Sequence, residues 1–344
     1  MPSLPKFSLL GALVAAIALL ALPSAAGATL VYVKNPTHPS VFAANDNGGG
    51  AFRVGPGSNP HVSPDGDVIA YQRERGAGKH ELKLASASGG GSKTILSDFQ
   101  DSFYFAFSPD SRLIAALRGP ELGKRKLVLI DVTSGTVLRT LASGYFSGFS
   151  FSPDSTELVY SVAAGTSFPA RSDVYRVPVA GGKPVRLTRD HVSQTPLWGP
   201  NEQIVFVKLL GAKQRKYGPK NELFLMSPTG TGVKRLTRTK VGQLVSGLTP
   251  VQWSDDGRRL LAEFGGQDTS YAVAVNPASG AERPLTKERE VGFVGTALSG
   301  DGSTVLGFSG GFEPGPNHAV ATIPYGGGKA KTLVKNAFEP DWSR

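Results

Sequence analysis

HVSPDGDVIAYQRE (61–74), AFSPDSRLIAALRG (106–119) and SFSPDSTELVYSVA (150–163) are three copies of one pattern. LWGPNEQIVFVKLL (197–210), QWSDDGRRLLAEFG (252–265) and ALSGDGSTVLGFSG (297–310) are looser copies. Taking Ser63, Ser108, Ser152, Gly199, Ser254 and Ser299 as anchors, the steps are 45, 44, 47, 55 and 45 residues. The terminal AFEPDWSR adds a seventh anchor, Ser343, 44 residues further on. Near-constant steps of this size mark a repeat architecture. In each copy an apolar or aromatic residue ends one strand, and Ser-Pro-Asp-Gly then reverses the chain. Pro presets φ, Asp bonds nearby N–H groups, and Gly takes the positive φ that follows. Ser111 and Ser155 replace the glycine in two copies, so those turns are expected to relax differently. A strand such as VIAY, LIAA, ELVY or IVFV comes next.

A second hairpin follows each of these. It reads ELKLASASGGGSKTIL (81–96), KLVLIDVTSGTVLRTL (126–141) and DVYRVPVAGGKPVRLT (173–188), then ELFLMSPTGTGVKRLT (222–237), YAVAVNPASGAERPLT (271–286) and AVATIPYGGGKAKTLV (319–334). Each period therefore holds four strands, here a to d, the size of a β-propeller blade. Helix-scale apolar periodicity is absent after the N-terminal segment, which argues against α-solenoids and α/β folds. The fold expectation is all-β.

The composition agrees. The chain has 344 residues, with 43 glycines and 25 prolines, about a fifth of the total and well above the usual share. At 40% hydrophobic residues it is not a disordered tail. No cysteine is present, which excludes disulfides, thiolate metal sites, a cysteine nucleophile and a lipoprotein cysteine. Lys6 precedes an apolar run, FSLLGALVAAIALLAL (7–22), and then PSAAGA (23–28), the layout of a secretory signal peptide. The run is shorter than the ~20 residues that span a bilayer. The expectation is cleavage near Ala28, leaving one propeller domain over 29–344 with no membrane span. The protein is then exported, to the periplasm, the cell surface or the extracellular space.

The pattern x-W/F-S-P-D-G-x-x-[LI]-A/V-[YF], followed by ELFLM…G…RLT, resembles the TolB-type, WD-like propeller repeats of exported bacterial proteins. QTPLWGPNEQIVFVK…NELFLMSPTGTGVKRLT (194–237) carries it most fully, and the resemblance spans residues 29–344. It implies a propeller that binds proteins or ligands and does not imply an enzyme. TolB itself is taken as six-bladed, whereas the anchors favour seven four-stranded blades. In that count LVYVKN (30–35), SVFAAN (40–45) and AFRV (51–54) supply strands b, c and d of a blade whose strand a ends at Trp342-Ser343. Pairing of the N- and C-terminal strands would close the ring and remove its open edges. Six blades is the alternative, if the 297–334 unit or the N-terminal set is irregular.

Signals for chemistry are few, and no catalytic, cofactor-binding or metal-ligating residue is assigned. One G-x-S-x-G occurs, Gly307-Phe308-Ser309-Gly310-Gly311, but at a strand end with no helix to follow, unlike a nucleophile elbow. The five histidines, His38, His61, His80, His191 and His318, make no metal-binding pair and read as turn or surface residues. Asp46-Asn47-Gly48 lacks a full calcium ladder, and Gly89-Gly90-Gly91-Ser92-Lys93 lacks P-loop order. Trp198, Trp253 and Trp342 read as core between blades.

The formal charge of +10 is the remaining lead. Propeller topology puts a–b and c–d turns on one face and b–c and d–a loops on the other, the customary binding face. The expected b–c loops there are basic. Arg73, Arg75 and Lys79 lie in the first, and Lys124, Arg125 and Lys126 in the next. Lys213, Arg215, Lys216, Tyr217 and Lys220 lie in the longest (209–221). Tyr104 and Tyr145, on expected d–a loops, add aromatic contacts. The expected function is a monomeric, non-enzymatic binding module that offers this face to a protein or an anionic envelope polymer. Nucleic acid fits poorly, because the basic loops lack interleaved aromatics. The alternative is a propeller hydrolase or lyase, or a glycan-binding sensor, with its site in the central channel.

Overall fold

The computed structural model describes residues 29–76, 79–99, 104–120, 123–165, 171–211, 218–242, 244–266, 269–286, 292–310 and 317–343. The expected signal segment 1–28 lies outside these residues, as do Lys213, Arg215, Lys216 and Tyr217. Among the described residues the regular structure is strand throughout, and no helix is long and apolar enough to cross a membrane.

The strands form five antiparallel sheets, in an order that follows the repeat. Phe338–Trp342, Thr29–Lys34, Ser40–Asn45 and Phe52–Pro56 make one sheet, which contains both ends of the described chain. Ser58–Val62, Val68–Glu74, His80–Ser86 and Ser92–Phe99 make the next. Phe105–Phe107, Leu113–Arg118 and Arg125–Asp131 then pair into Val137–Phe151, which continues into Glu157–Ala163, Ser172–Pro178 and Val185–Arg186. Ser193–Gly199, Gln203–Leu210, Lys220–Met226 and Lys234–Arg235 form a set joined at one parallel position, Asn221 to Gly247, to the following set. That set is Val245–Trp253, Leu260–Gly266, Ser270–Val275 and Glu282–Pro284. Val294–Leu298, Thr304–Ser309, Ala319–Pro324 and Lys331–Lys335 complete the series.

The second strand of each set carries an apolar run because both faces are covered by the neighbouring sets. Ile204, Val205, Phe206 and Val207 are all fully buried, as are Ile114, Ala115, Ala116 and Leu117. Leu82, Phe105, Ile114 and Val128 from adjoining sheets share one core cluster. A strand exposed to water on one side would alternate instead.

The repeated turn is a hydrogen-bonded device. Ser63, Ser108, Ser152, Ser254 and Ser299 each donate their hydroxyl to the aspartate two residues on, at 2.5–2.6 Å. Each hydroxyl also accepts the N–H of the residue five ahead. These turns do not relax where serine replaces glycine. Ser111 and Ser155 hold φ at 63° and 62°, close to the 66° to 83° of Gly257, Gly302 and Gly66. The reason lies in the neighbouring turn: Ser111 Oγ accepts the Asp65 N–H and Ser155 Oγ accepts the Asp110 N–H, both at 3.1 Å. The hydroxyl thus offsets a strained backbone by linking consecutive sets.

A second link runs between the first strands of successive sets. The side chain two residues before an anchor accepts the N–H of the residue just before the next anchor. Ser150 bonds Trp198 at 3.1 Å, Gln252 bonds Leu298 at 2.7 Å, and Asp341 bonds Val62 at 3.0 Å.

Candidate binding face

Because the sets are antiparallel meanders, all the Ser-x-Asp turns lie at one end of the strands and the longer connections lie at the other. The two ends differ in charge. At the turn end Asp65, Asp110, Asp154, Asp256 and Asp301 are exposed. Hydrogen bonds from the serine hydroxyl and following N–H groups hold Asp154 and Asp256 below the usual carboxylate range, and Asp301 down to about 2.

At the loop end four of the described carboxylates are engaged. Glu81 is held by Arg75 at 3.0 Å and Asp190 by Lys208 at 2.7 Å. Asp173 is held by Arg186 at 2.6 Å and His191 at 2.8 Å, and Glu222 by Lys220 at 2.6 Å and Arg235 at 2.8 Å. Glu74 stands exposed there. Around them Lys79, Lys124, Lys126, Arg189, Arg238 and Lys240 are exposed cations.

Two of these ion pairs form one repeated corner. In the first, Arg186 and Thr188 of RLTRDH (186–191) both bind Asp173, while Arg186 Nε donates to the Thr188 carbonyl and Thr188 Oγ1 accepts the Val174 N–H. In the second, Arg235 and Thr237 of RLTRTK (235–240) bind Glu222 by the same four bonds, with Leu223 supplying the N–H. The acid sits 15 residues before the threonine in both. A third copy, RPLT (283–286), keeps the backbone bond from Leu285 N–H to the Ala272 carbonyl but has Tyr271 in place of the acid. The RLT signature noted in the sequence is thus a charge-anchored corner, legible from its fixed distance to an acid.

Beside the second corner a depression of about 520 Å³ opens, lined by Leu210, Gly211, Lys220, Arg238, Thr239 and Lys240. Lys220 Nζ is fixed between Glu222 and the Thr239 carbonyl, at 2.6 and 3.1 Å. Glu282 from the next set accepts the Arg238 N–H at 3.2 Å. Burial, with Glu222 nearby, raises its pKa above the usual carboxylate range.

A third polar group lies on the first strands where the two chain ends meet. Glu339 accepts the Asn59 N–H at 2.6 Å, and Asp341 faces His61 Nδ1 at 3.5 Å. Asn59 and Glu339 both hold left-handed backbone, φ 49° and 48°. Burial raises the Glu339 pKa against the pull of the Asn59 N–H. Among the described residues no group of three or more His, Asp or Glu side chains is arranged to hold a metal.

No family model matches the sequence, and no curated protein matches it. Solved structures do. TolB from Acinetobacter baumannii aligns over 91% of this chain and 82% of its own, with TM-score 0.57 and 16% identity. The β-propeller domain of the Trilobed protease from Pyrococcus furiosus, described as having an open velcro topology, aligns over 90% and 92%, with TM-score 0.65 and 18% identity. The chain has a TolB-like β-propeller fold. The same propeller fold occurs in an enzyme, oligogalacturonate lyase in complex with manganese, which covers 90% of this chain and 86% of its own at TM-score 0.60 and 13% identity.

On this propeller the expected binding residues do not all sit in loops. Arg73 lies within Val68–Glu74, and Arg125 and Lys126 open Arg125–Asp131, because the strands on either side of these crossings extend further than the turn residues suggested. Arg125 is spent on structure, donating to the Phe146 carbonyl at 2.7 Å. Arg75 and Lys220 are tied to Glu81 and Glu222. Lys79, Lys124 and Lys126 are exposed. Tyr104 is exposed, with its ring edge-on to Phe149. Tyr145 is not in a loop. It is half-buried inside Val137–Phe151, where the outer strand of one set runs straight into the first strand of the next. His191 and His61, read as turn residues, face Asp173 and Asp341. Ser309 ends the strand Thr304–Ser309, and Gly311 of its G-x-S-x-G motif lies outside the described residues. Trp198 and Trp253 are buried core.

Proposed function

We propose that the protein is an exported, non-enzymatic binding propeller that offers its loop face to an anionic partner, an acidic protein patch or a negatively charged envelope polymer. One observation carries this: among the described residues, the loop-end carboxylates Glu81, Asp173, Asp190 and Glu222 are held in internal ion pairs, whereas Lys79, Lys124, Lys126, Arg238 and Lys240 stand exposed. At the opposite end exposed aspartates are mixed with Arg112, Lys183 and Arg258, so cations without nearby acids on the loop face would steer an anion there. The full chain should be retained on an anionic polysaccharide matrix at low salt and released as ionic strength rises, since exposed charges are screened over ~10 Å at 0.1 M. Replacing Lys79, Lys124 and Lys126 by Ser should move release to lower salt. Unchanged release would overturn the proposal. Lys220 is unsuitable for this test because it anchors Glu222.

The architecture that goes with this function is seven four-stranded blades in one ring, counting the seven-stranded sheet that shares Val137–Phe151 and the joined eight-stranded sheet as two blades each. The pairing of Thr29–Lys34 with Phe338–Trp342 would then close it. Removal of residues 338–344 should lower thermal stability sharply or cause aggregation. A truncated chain that melts like the full one would refute closure. A second reading, a polar-ligand or catalytic site on the channel strands, is favoured by the His61, Asp341, Glu339 and Asn59 group, where strained backbone and a buried carboxyl coincide.

A further inference from the structure

We infer that the depression beside RLTRTK (235–240) is a binding site for a phosphate group, an inference that rests on the anionic-partner reading of the loop face. The repeat itself supplies the control. The RLTRDH corner has the same backbone bonds and the same buried arginine–acid–threonine core. Its Asp190 lies where the second corner has Thr239, and its His191 lies where the second has Lys240. Asp190 takes up Lys208, and His191 is taken up by Asp173, so the first corner ties these residues into internal pairs and leaves Arg189 as its exposed cation. The second corner has lost one acid and gained one permanent cation, and there the surface opens into about 520 Å³.

The charges facing this space come from every element around it. Lys220 contributes from the third strand of its blade, and Arg238 and Lys240 from the connection to the next blade. Against them stand Glu222, which is shared with Arg235, and Glu282 on the neighbouring blade. Counting Arg235, four cations against two carboxylates among the described residues leave an excess of positive charge. Lys220 is already immobilised, so little order is lost when an anion arrives. Thr239 is buried in the wall of the depression with its hydroxyl beside Glu282, so a neutral group stands where the first corner has an aspartate. The volume exceeds that of a bare ion and suits a phosphorylated sugar or glycerol unit. A phosphate, carrying up to two charges on three acceptor oxygens, matches three converging cations better than a carboxylate does.

The test is titration of the full chain with glucose 6-phosphate, with glucose as control, and sedimentation with phosphatidylglycerol vesicles. Thr239→Asp restores the acid of the first corner, an arrangement this fold already accommodates. Thr239→Ser keeps the charge balance. Saturable binding of glucose 6-phosphate but not glucose, weakened about tenfold or more by T239D and kept by T239S, supports a soluble phosphate ester as ligand. The same sensitivity seen with vesicles alone assigns the phosphate to a lipid headgroup. No saturable binding of either probe, or equal binding by T239D with its melting temperature intact, overturns the site. If the polysaccharide matrix still retains the protein in a salt-dependent way, the inference fails while the loop-face reading stands. If retention is also absent, both fail.

Discussion

The corners RLTRDH (186–191) and RLTRTK (235–240) share a backbone and differ in what they leave unpaired. In both, arginine and threonine of the outer strand clamp an acid at the start of the third strand, through bonds of 2.6–3.1 Å. In the first, Asp190 and His191 complete an internal network with Lys208 and Asp173. In the second, Thr239 and Lys240 leave charge facing solvent. The shared part is scaffold, and the variable part, two residues on in the chain, is where the proposed phosphate site is placed. This is the general division of labour between a repeat framework and its loops.

The largest expected effect tests the shared half. Glu222→Ala strands Lys220, Arg235 and the Thr237 hydroxyl around a fully buried site and should cost about 3 kcal/mol or more in thermal unfolding. Asp173→Ala should cost a similar amount, and a marked difference between the two would break the equivalence of the corners. A smaller effect separates the variable halves. Asp190→Asn removes the Lys208 pair and should destabilise by about 1 kcal/mol or less, because the pair is partly exposed. Its pH dependence has a definite sign. Burial opposes ionisation, but Lys208, Ser193 and the Val192 N–H together hold the Asp190 pKa below the usual value. The stabilisation is therefore present above the unfolded-state pKa and disappears as pH falls through the lower folded-state pKa. The difference in melting temperature between wild type and D190N should close on acidification, and a constant difference from pH 7 to pH 3 would contradict the ion pair.

Glu339 should behave in the opposite sense, and more weakly. Its pKa is raised, so ionisation disfavours the fold above that value, and protonation relieves this as pH falls. Glu339→Gln keeps an oxygen to accept the Asn59 N–H and should melt at or above wild type at pH 8, with the gap narrowing on acidification. A variant clearly less stable than wild type at pH 8 would show that the charge itself is needed there.

Much of the framework was legible because turn chemistry is local. Ser-Pro-Asp-Gly states its own geometry, and the spacing between copies supplies the rest. Ser111 and Ser155 misled because the partner that justifies their positive φ lies one blade away, 46 and 45 residues off in the chain. Tyr145 misled because Gly144 and Gly148 look like loop residues yet sit in a continuous strand, Gly148 at a register shift and Gly144 against Val162. The basic residues were found as a class, but which of them are free was not readable. Arg75 meets Glu81 only once its hairpin pairs, and Lys220 meets Glu222, two residues on, because strand alternation puts both on one face. Arg238 and Lys240, outside the longest loop, escaped notice because nothing in RLTRTK distinguishes them until its twin RLTRDH is aligned with it.

The account turns on which face carries binding. Salt-dependent retention on an anionic polysaccharide should be compared for the wild type and two charge-matched variants. One replaces the loop-face residues Lys124, Arg238 and Lys240 by Ser, and the other replaces the turn-face residues Arg112, Lys183 and Arg258. The loop-face variant should elute at clearly lower salt while the turn-face variant elutes with the wild type. Equal shifts for both variants would mean that net charge alone governs retention, and would contradict a dedicated binding face.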